Sequence, residues 1–247
     1  MSVPAPFLTS SLLERAGLPH LFTTRHFPGV AAPGSGAVFT AEASPLLASR
    51  GLGAPPAFAK QVHGAEVLVA ERAGHAGEAD ALLTERGGLP LAILTADCLP
   101  IVIYDPAGGR LAAVHAGWRG TVQSVTRAAV DRLVDAGSPA DGLLVGIGPS
   151  IGPCCYEVDA PVIDRLRAAF PGGWERWTAP AGPGKWMFDL WAANEDQLAA
   201  ADVDPNMIDN PRLCTACNLD RFHSYRREGS TRGGRLGRLV ALAAIPT

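Results

Sequence analysis

Two histidines and one cysteine stand in short, distinctive settings: His63 in KQVHGAEV, Cys98 in LTADCLPIVIYDP and His115 in AVHAGWRGT. Imidazole nitrogen and thiolate sulfur are side-chain donors for zinc, and a catalytic zinc keeps three protein ligands plus one position open to water or substrate. Two His and one Cys meet that count. Each residue alone has a plainer explanation, as a hydrogen-bonded structural histidine or a cysteine packed as a small apolar side chain. The three are far apart in the chain, so only a fold that gathers strand ends can converge them. Asp97, beside Cys98, is a candidate to orient a ligand, since metal-bound histidine usually donates its second N–H to a carboxylate or carbonyl. It serves equally well as a turn-forming residue.

A second element accompanies the first. A helix beginning at Thr121 would aim the amides of Gly120–Gln123, and the positive end of the helix dipole, at the turn carrying His115. Such a terminus attracts anions, phosphate included. Arg119 would add a bidentate donor. Arg25 in TTRH, and Arg226 and Arg227 in HSYRRE, are further cations that would form an anion site only if the fold brought them together. The remaining cysteines offer less. Cys214 and Cys217 form one CTAC, which supplies two ligands where a structural zinc needs four, and His223 does not complete the set. Cys154 and Cys155 are adjacent, a spacing that seldom gives an unstrained disulfide. These four read as structural or locally polar. Neither GxGxxG nor a P-loop pattern is present, so dinucleotide binding and nucleotide hydrolysis have no support.

The elements that must position these residues read as an α/β (α+β) fold, a single domain over residues 1–247 with layered mixed β-sheets flanked by helices. SLLERAG reads as a short helix and LFTTRH as a strand ending at Pro28-Gly29. Residues 31–58 read as loop, with a short helix at 44–50. QVHGAEVLVA is strand-like, and LPLAILTADCLPIVIYDP holds two apolar runs separated by the polar TADC turn. GRLAAVHAG is another strand, entered through a Pro/Gly turn. Val122, Val125, Ala129, Leu133 and Val134 recur at helical spacing, predicting one helix from a Thr121 cap to Ala136, with Gly137 as terminator. LLVGIGPSIG reads as a strand running into a glycine-rich turn. Helices follow at about 159–169 and 188–201, with a Gly/Pro/Trp loop over 171–187. The tail after CTAC reads as irregular polar segments and a final apolar strand.

Composition sets the outer bounds. In 247 residues, 47% are hydrophobic, enough for a sizeable core and unlike a disordered chain. A net charge of −3 without a Lys/Arg run argues against a nucleic-acid surface. No apolar run approaches the roughly 18 residues of a membrane span, and the N-terminus lacks the layout of a signal peptide. Five cysteines at irregular spacing favour a reduced, cytoplasmic setting over a disulfide framework.

Taken in order, QVHG, TADC.P, HAGWRGT, IGP.I..CCYEV and CT…SYRRE…GR resemble the YfiH family over roughly residues 20–245. That family is also known as the laccase-like multicopper polyphenol oxidase, peptidoglycan editing factor or zinc-dependent purine nucleoside phosphorylase family. The resemblance implies that His63, Cys98 and His115 hold a zinc at a surface-open pocket. It also implies phosphorolysis of adenosine, inosine, guanosine and methylthioadenosine to base and ribose 1-phosphate, with deamination of adenosine as a companion activity. The implied partners are thus a purine nucleoside and phosphate, with Arg25, Arg119 and Arg226 as candidates to hold the phosphate. The chain departs from the family pattern at His26–Val30 and at GAVFTAEAS, where Gly-Gly-Val-Ser and Asn-Leu-Gly are expected. Both departures fall in the N-terminal pocket region and bear on substrate preference.

Other chemistries fit the same residues. A cysteine hydrolase would use Cys98 as nucleophile and His115 as base, suiting amide cleavage in a peptidoglycan precursor as the editing-factor name implies. A non-enzymatic closed zinc module would need a fourth protein ligand. A copper oxidase is disfavoured: a blue-copper site wants a weak axial Met, yet Met1, Met187 and Met207 lie outside the ligand motifs, and six histidines are too few for a multicopper cluster besides.

Overall fold

The structure is a computed structural model that describes residues 4–32, 34–229 and 236–247. The first of two six-stranded sheets runs β1 (Phe7–Leu8), β2 (His20–Thr23), β15 (Leu239–Ala243), β7 (Leu91–Thr95), β3 (Ala57–Lys60) and β5 (Gly74–Glu78). The second runs β14 (Ile208–Asp209), β10 (Leu144–Ile147), β8 (Leu99–Asp105), β9 (Arg110–Ala116), β6 (Ala81–Thr84) and β4 (Val67–Val69). Both mix parallel and antiparallel pairs. A small antiparallel sheet joins β11 (Glu157–Asp159), β13 (Lys185–Phe188) and β12 (Thr178–Gly182).

Alternation along the strands makes the layers. In β8 and β9, Val102, Tyr104, Leu111 and Ala113 face the first sheet and pack with Leu91, Ile93, Ala241 and Ala243. Their neighbours Ile101, Ile103, Ala112 and Val114 face the helices instead, among them α4 (Val125–Asp135), α5 (Ala160–Ala169) and α6 (Leu190–Ala199). The outer face of the first sheet, through Val240 and Leu242, is covered by α2 (Ser44–Ser49) and the segment around Phe27 and Val38. Strands buried on both faces read as unbroken apolar runs, which is why LPIVIYD and LVALA stood out as strands. The remaining helices among the described residues are α1 (Ser11–Arg15), α3 (Trp118–Val122) and α7 (Tyr225–Glu228).

Several expectations are corrected. The single helix from Thr121 to Ala136 is two, α3 and α4, divided at Ser124, whose φ of 60° is left-handed and breaks the hydrogen-bond ladder. The first begins at Trp118 after Gly117, and Thr121 is a buried residue inside it rather than a cap. The amide cradle expected at Gly120–Gln123 is therefore not formed by a helix start. QVHGAEVLVA is not one strand, because Gln61–Glu66 turn between β3 and β4. The 171–187 loop contains the β12–β13 hairpin. Part of the expected polar tail, residues 230–235, lies outside the described residues.

Candidate metal centre

The two apolar runs around TADC belong to different sheets: β7 to the first, β8 to the second. The turn carrying Cys98 therefore crosses between the layers. In the β8–β9 hairpin, Leu99 pairs with Ala116 and Pro100 with His115, so Cys98 faces the strand end that bears His115. His63 enters from the β3–β4 turn with φ 62°, a backbone region that non-glycine residues seldom occupy. The donor atoms of His63, Cys98 and His115 all lie within 4.8 Å of one another. His63 Nε2 is 3.9 Å from Cys98 Sγ, and the two imidazole rings meet edge-on at 4.9 Å.

One carboxylate fixes the arrangement. Asp80 is fully buried; its Oδ1 accepts from His115 Nδ1 at 2.7 Å and from the His63 amide at 2.9 Å. Its Oδ2 accepts from the Gly64 and Val62 amides at 2.6 and 3.1 Å. The pairing of Ala81 with Val114 between β6 and β9 sets Asp80 beside His115. One side chain thus locks the strained His63 turn and leaves His115 Nε2 facing the other donors, the arrangement that usually orients a metal-bound histidine. Burial would raise the Asp80 carboxyl, but His115 and the Gly64 and His63 amides hold it below the ordinary carboxylate range. Burial likewise opposes charge on Cys98 and His115. Their mutual attraction prevails: His115 and His63 bring the Cys98 thiol down to about 6, while Cys98 and Asp80 lift His115 to about 9. A thiolate facing an imidazolium is a donor pair that a cation can replace the proton in.

Asp97, read equally as a ligand orienter and as a turn former, sits in the turn between β7 and β8 with φ 86° and fastens it. Its carboxylate accepts from Thr215 Oγ1 at 2.5 Å, Ser224 Oγ at 3.0 Å and the Arg226 amide at 2.6 Å, and its carbonyl accepts from the Ile151 amide at 2.8 Å. It ties the Cys98 turn to the 150s loop and to the C-terminal segment. Sequence reasoning does not single out Asp80 in EADALLT; its one signal is an acid directly before the apolar run Ala81–Leu83.

Two clefts meet at His63 and Cys98, and the larger also reaches His115. The larger, about 770 Å³, is lined by His63, Cys98, His115 and Arg119, with Lys60 and Arg238 adding cations. The smaller, about 240 Å³, is walled by Trp118, Tyr156 and Arg226 and shares His63, Cys98 and Arg119. Arg119 therefore borders both, its guanidinium 4.5 Å from the Trp118 ring. Ala37 and Val38, within the segment that departs from the family pattern, line the larger cleft. Gly117 is required by close approach, since a Cβ there would stand 2.9 Å from Cys98 Sγ and 3.1 Å from the His63 ring.

The other arginines separate. Arg226 lines the smaller cleft, but its guanidinium donates to the carbonyls of Cys155 and Glu157. Arg227 reaches Cys155 Sγ. Arg25 lines neither cleft; it donates to Glu228 and the Leu219 carbonyl and lies 3.2 Å from the His223 ring.

Residues 40–245 match the family described as multi-copper polyphenol oxidoreductase laccase. The chain is 40% identical to a purine nucleoside phosphorylase of Pseudomonas aeruginosa, over 76% of this chain and 74% of the relative. It is 36% identical to an adenosine deaminase of an unknown prokaryotic organism, over 62% of this chain and 59% of that protein. Among solved structures it resembles YlmD from Geobacillus stearothermophilus, with a TM-score of 0.85, 28% identity, and coverage of 100% of this chain and 98% of the other.

Proposed function

Because the chain belongs to the multi-copper polyphenol oxidoreductase laccase family, the laccase-like YfiH family, we propose that it is a purine nucleoside phosphorylase that also deaminates adenosine. Relatives bearing those two names support both activities. The observation that carries the reading is the convergence of His63, Cys98 and His115 on the larger cleft, which meets the smaller one at His63 and Cys98.

The donor set suits zinc. Two imidazoles and one thiolate, oriented by a carboxylate and open to a cleft, match a catalytic site with one free position. Copper of the blue type would want a thioether nearby; neither Met187 nor Met207 lines either cleft. Zinc, when bound, would supply a fixed positive charge and Lewis acidity beside the reacting atoms.

In phosphorolysis a phosphate oxygen forms the bond to C1′ as the bond from C1′ to the purine nitrogen breaks, giving base and ribose 1-phosphate. We assign Arg119 to hold the phosphate; its position bordering both clefts and the bidentate fork its guanidinium can offer support this reading. The larger cleft has the volume of an ordinary small-ligand site and would take the nucleoside. Trp118, stacked beneath the guanidinium, restricts Arg119 and limits the entropy lost on binding. Holding the two reactants side by side is itself a large part of such a rate enhancement.

The test is a phosphate-dependence assay with inosine and adenosine, following base and ribose 1-phosphate by chromatography, on zinc-loaded wild type and Cys98→Ala. Phosphorolysis is expected in the wild type and lost in the variant. Undiminished turnover by a Cys98→Ala protein stripped of metal would overturn the proposal. A cysteine hydrolase would instead survive chelation and leave a covalent adduct on Cys98.

A further inference from the structure

The sequence separates the other four cysteines into an adjacent pair and a CxxC pair, but the fold unites them. Cys154 and Cys155 lie in the turn after β10, and Cys214 and Cys217 in the segment after β14. Ser150 and Cys214 form a parallel bridge, with the Ser150 amide donating to the Leu213 carbonyl and the Thr215 amide to the Ser150 carbonyl. This lacing carries the second pair of thiols to the first. All four sulfurs lie within 4.8 Å of one another, outside the site described above.

We propose that Cys154, Cys155, Cys214 and Cys217 bind a second metal ion, a single zinc in a closed, structural S4 site. A tetrahedron with metal–sulfur bonds of about 2.3 Å has edges of about 3.8 Å. Cys217 Sγ stands 3.5 Å from Cys154 Sγ and 3.4 Å from Cys155 Sγ, which is the spacing of ligands sharing an ion. It lies equally near both, so neither is singled out as a disulfide partner. An S4 set selects zinc or iron–sulfur chemistry, and sulfurs this close enclose one ion more readily than a multi-iron cluster.

The surroundings also suit a thiolate-bound ion. The Gly152 amide donates to Cys214 Sγ at 3.3 Å, and Arg227 Nη2 lies 3.6 Å from Cys155 Sγ. Binding would release four thiol protons to solvent and leave a complex of net charge −2, which Arg227 and the neighbouring Arg226 partly offset. The ion would clamp the 150s loop to the C-terminal segment on either side of Asp97, whose partners Ile151, Thr215 and Ser224 come from those two segments. It would hold the wall of the smaller cleft without touching substrate.

This inference does not depend on the phosphorylase reading, and its test uses metal stoichiometry and cobalt spectra rather than turnover. Protein purified under reducing conditions is loaded with zinc and analysed by mass spectrometry of the metal. Wild type should hold two zinc ions per chain. Cys154→Ser/Cys217→Ser, which alters two exposed residues, should hold one, as should Cys98→Ala. Cobalt(II) added to metal-free Cys98→Ala should give an intense sulfur-to-cobalt absorption band, lost when the serine pair is added. Zinc content unchanged by the serine pair, no such band in Cys98→Ala, or a Cys217 disulfide that persists under reductant and excess zinc would each overturn the proposal.

Discussion

Asp80→Asn removes one charge from the centre and keeps the shape. The carboxylate accepts four hydrogen bonds, two at each oxygen: His115 Nδ1 and the His63 amide on Oδ1, the Gly64 and Val62 amides on Oδ2. An amide offers one oxygen, so in either orientation its NH2 group opposes two N–H donors. Each buried donor left unsatisfied costs about 1–3 kcal/mol: roughly 2–6 kcal/mol with the NH2 group toward the Gly64 and Val62 amides, and about 1–3 kcal/mol with it toward His115, whose ring can change tautomer and accept. That is a serious loss against a typical stability of about 5–15 kcal/mol, but one the fold can survive. With the NH2 group toward His115, the ring is driven to carry its proton on Nε2, the nitrogen that should bind metal. With the oxygen there, the hydrogen bond survives but the charge is gone. Losing such an orienting partner typically weakens metal binding about 10–100-fold, which is roughly 1.4–2.7 kcal/mol. Chelator competition on the Cys154→Ser/Cys217→Ser background, alongside thermal melts, separates the two effects. Asp105→Asn is the control. Asp105 is equally buried and accepts from the Ala107 and Gly108 amides and Ser138 Oγ, at the far end of β8. It should lower the melting temperature and leave zinc affinity alone. If Asp80→Asn bound zinc within about twofold of wild type, the assignment of Asp80 as the residue that orients His115 would be wrong.

Gly117→Ala keeps an allowed backbone, with φ −83°, yet places a methyl against Cys98 and His63; zinc affinity should fall about tenfold or more, since such sites tolerate only about 0.5 Å of displacement, and wild-type affinity would refute the packing argument. Arg119→Ala should raise the KM for phosphate by at least about tenfold, the loss of a charged hydrogen bond of roughly 1.5–3 kcal/mol, with a smaller effect on the nucleoside KM; the reverse pattern would place phosphate elsewhere. In the same two-serine background, zinc affinity should gain about tenfold per pH unit between about 6 and 9, because binding there displaces the proton held by His115 from a site whose Cys98 is already a thiolate. The gain should level off above pH 9 and steepen below pH 6, where the Cys98 proton must leave too; a flat profile across the window would show that no imidazolium faces the thiolate. Asn194→Leu should lower stability by about 2–4 kcal/mol in denaturant unfolding, because Asn194 is fully buried and bonds Thr121, Thr126 and the Leu190 carbonyl; an unchanged midpoint would mean that this network is replaceable.

The parts legible from the sequence were those with strong local signatures. Doubly buried strands such as β8, β9 and β15 announce themselves as apolar runs, and the residues of α4 by their helical spacing. The donors His63, Cys98 and His115 were recognisable from residue type and Gly-rich setting. What stayed hidden was non-local. Asp80 matters only because β6 and β9 pair in one register, and nothing in EADALLT announces that. Adjacency to Cys98 left Asp97 divided between a ligand's partner and a turn former, because its carboxylate partners Thr215 and Ser224 lie far along the chain. The break at Ser124 sits inside a good helical pattern, because a single left-handed residue does not disturb side-chain periodicity. CTAC lacked its second pair until the Ser150–Cys214 bridge supplied it.

The grip of Asp80 on the β3–β4 turn has a consequence for how that turn breathes. Loop amides ordinarily trade their protons with water quickly, but those of Val62, His63 and Gly64 point into a buried carboxylate. Deuterium can reach them only when the turn lifts away, and such local openings have free energies well below that of global unfolding. Their exchange rates therefore act as a clock for that lifting. The His63 ring leaves with its backbone, so each such opening also withdraws one of the three donors, and the exchange rates of these amides report how often the set is broken.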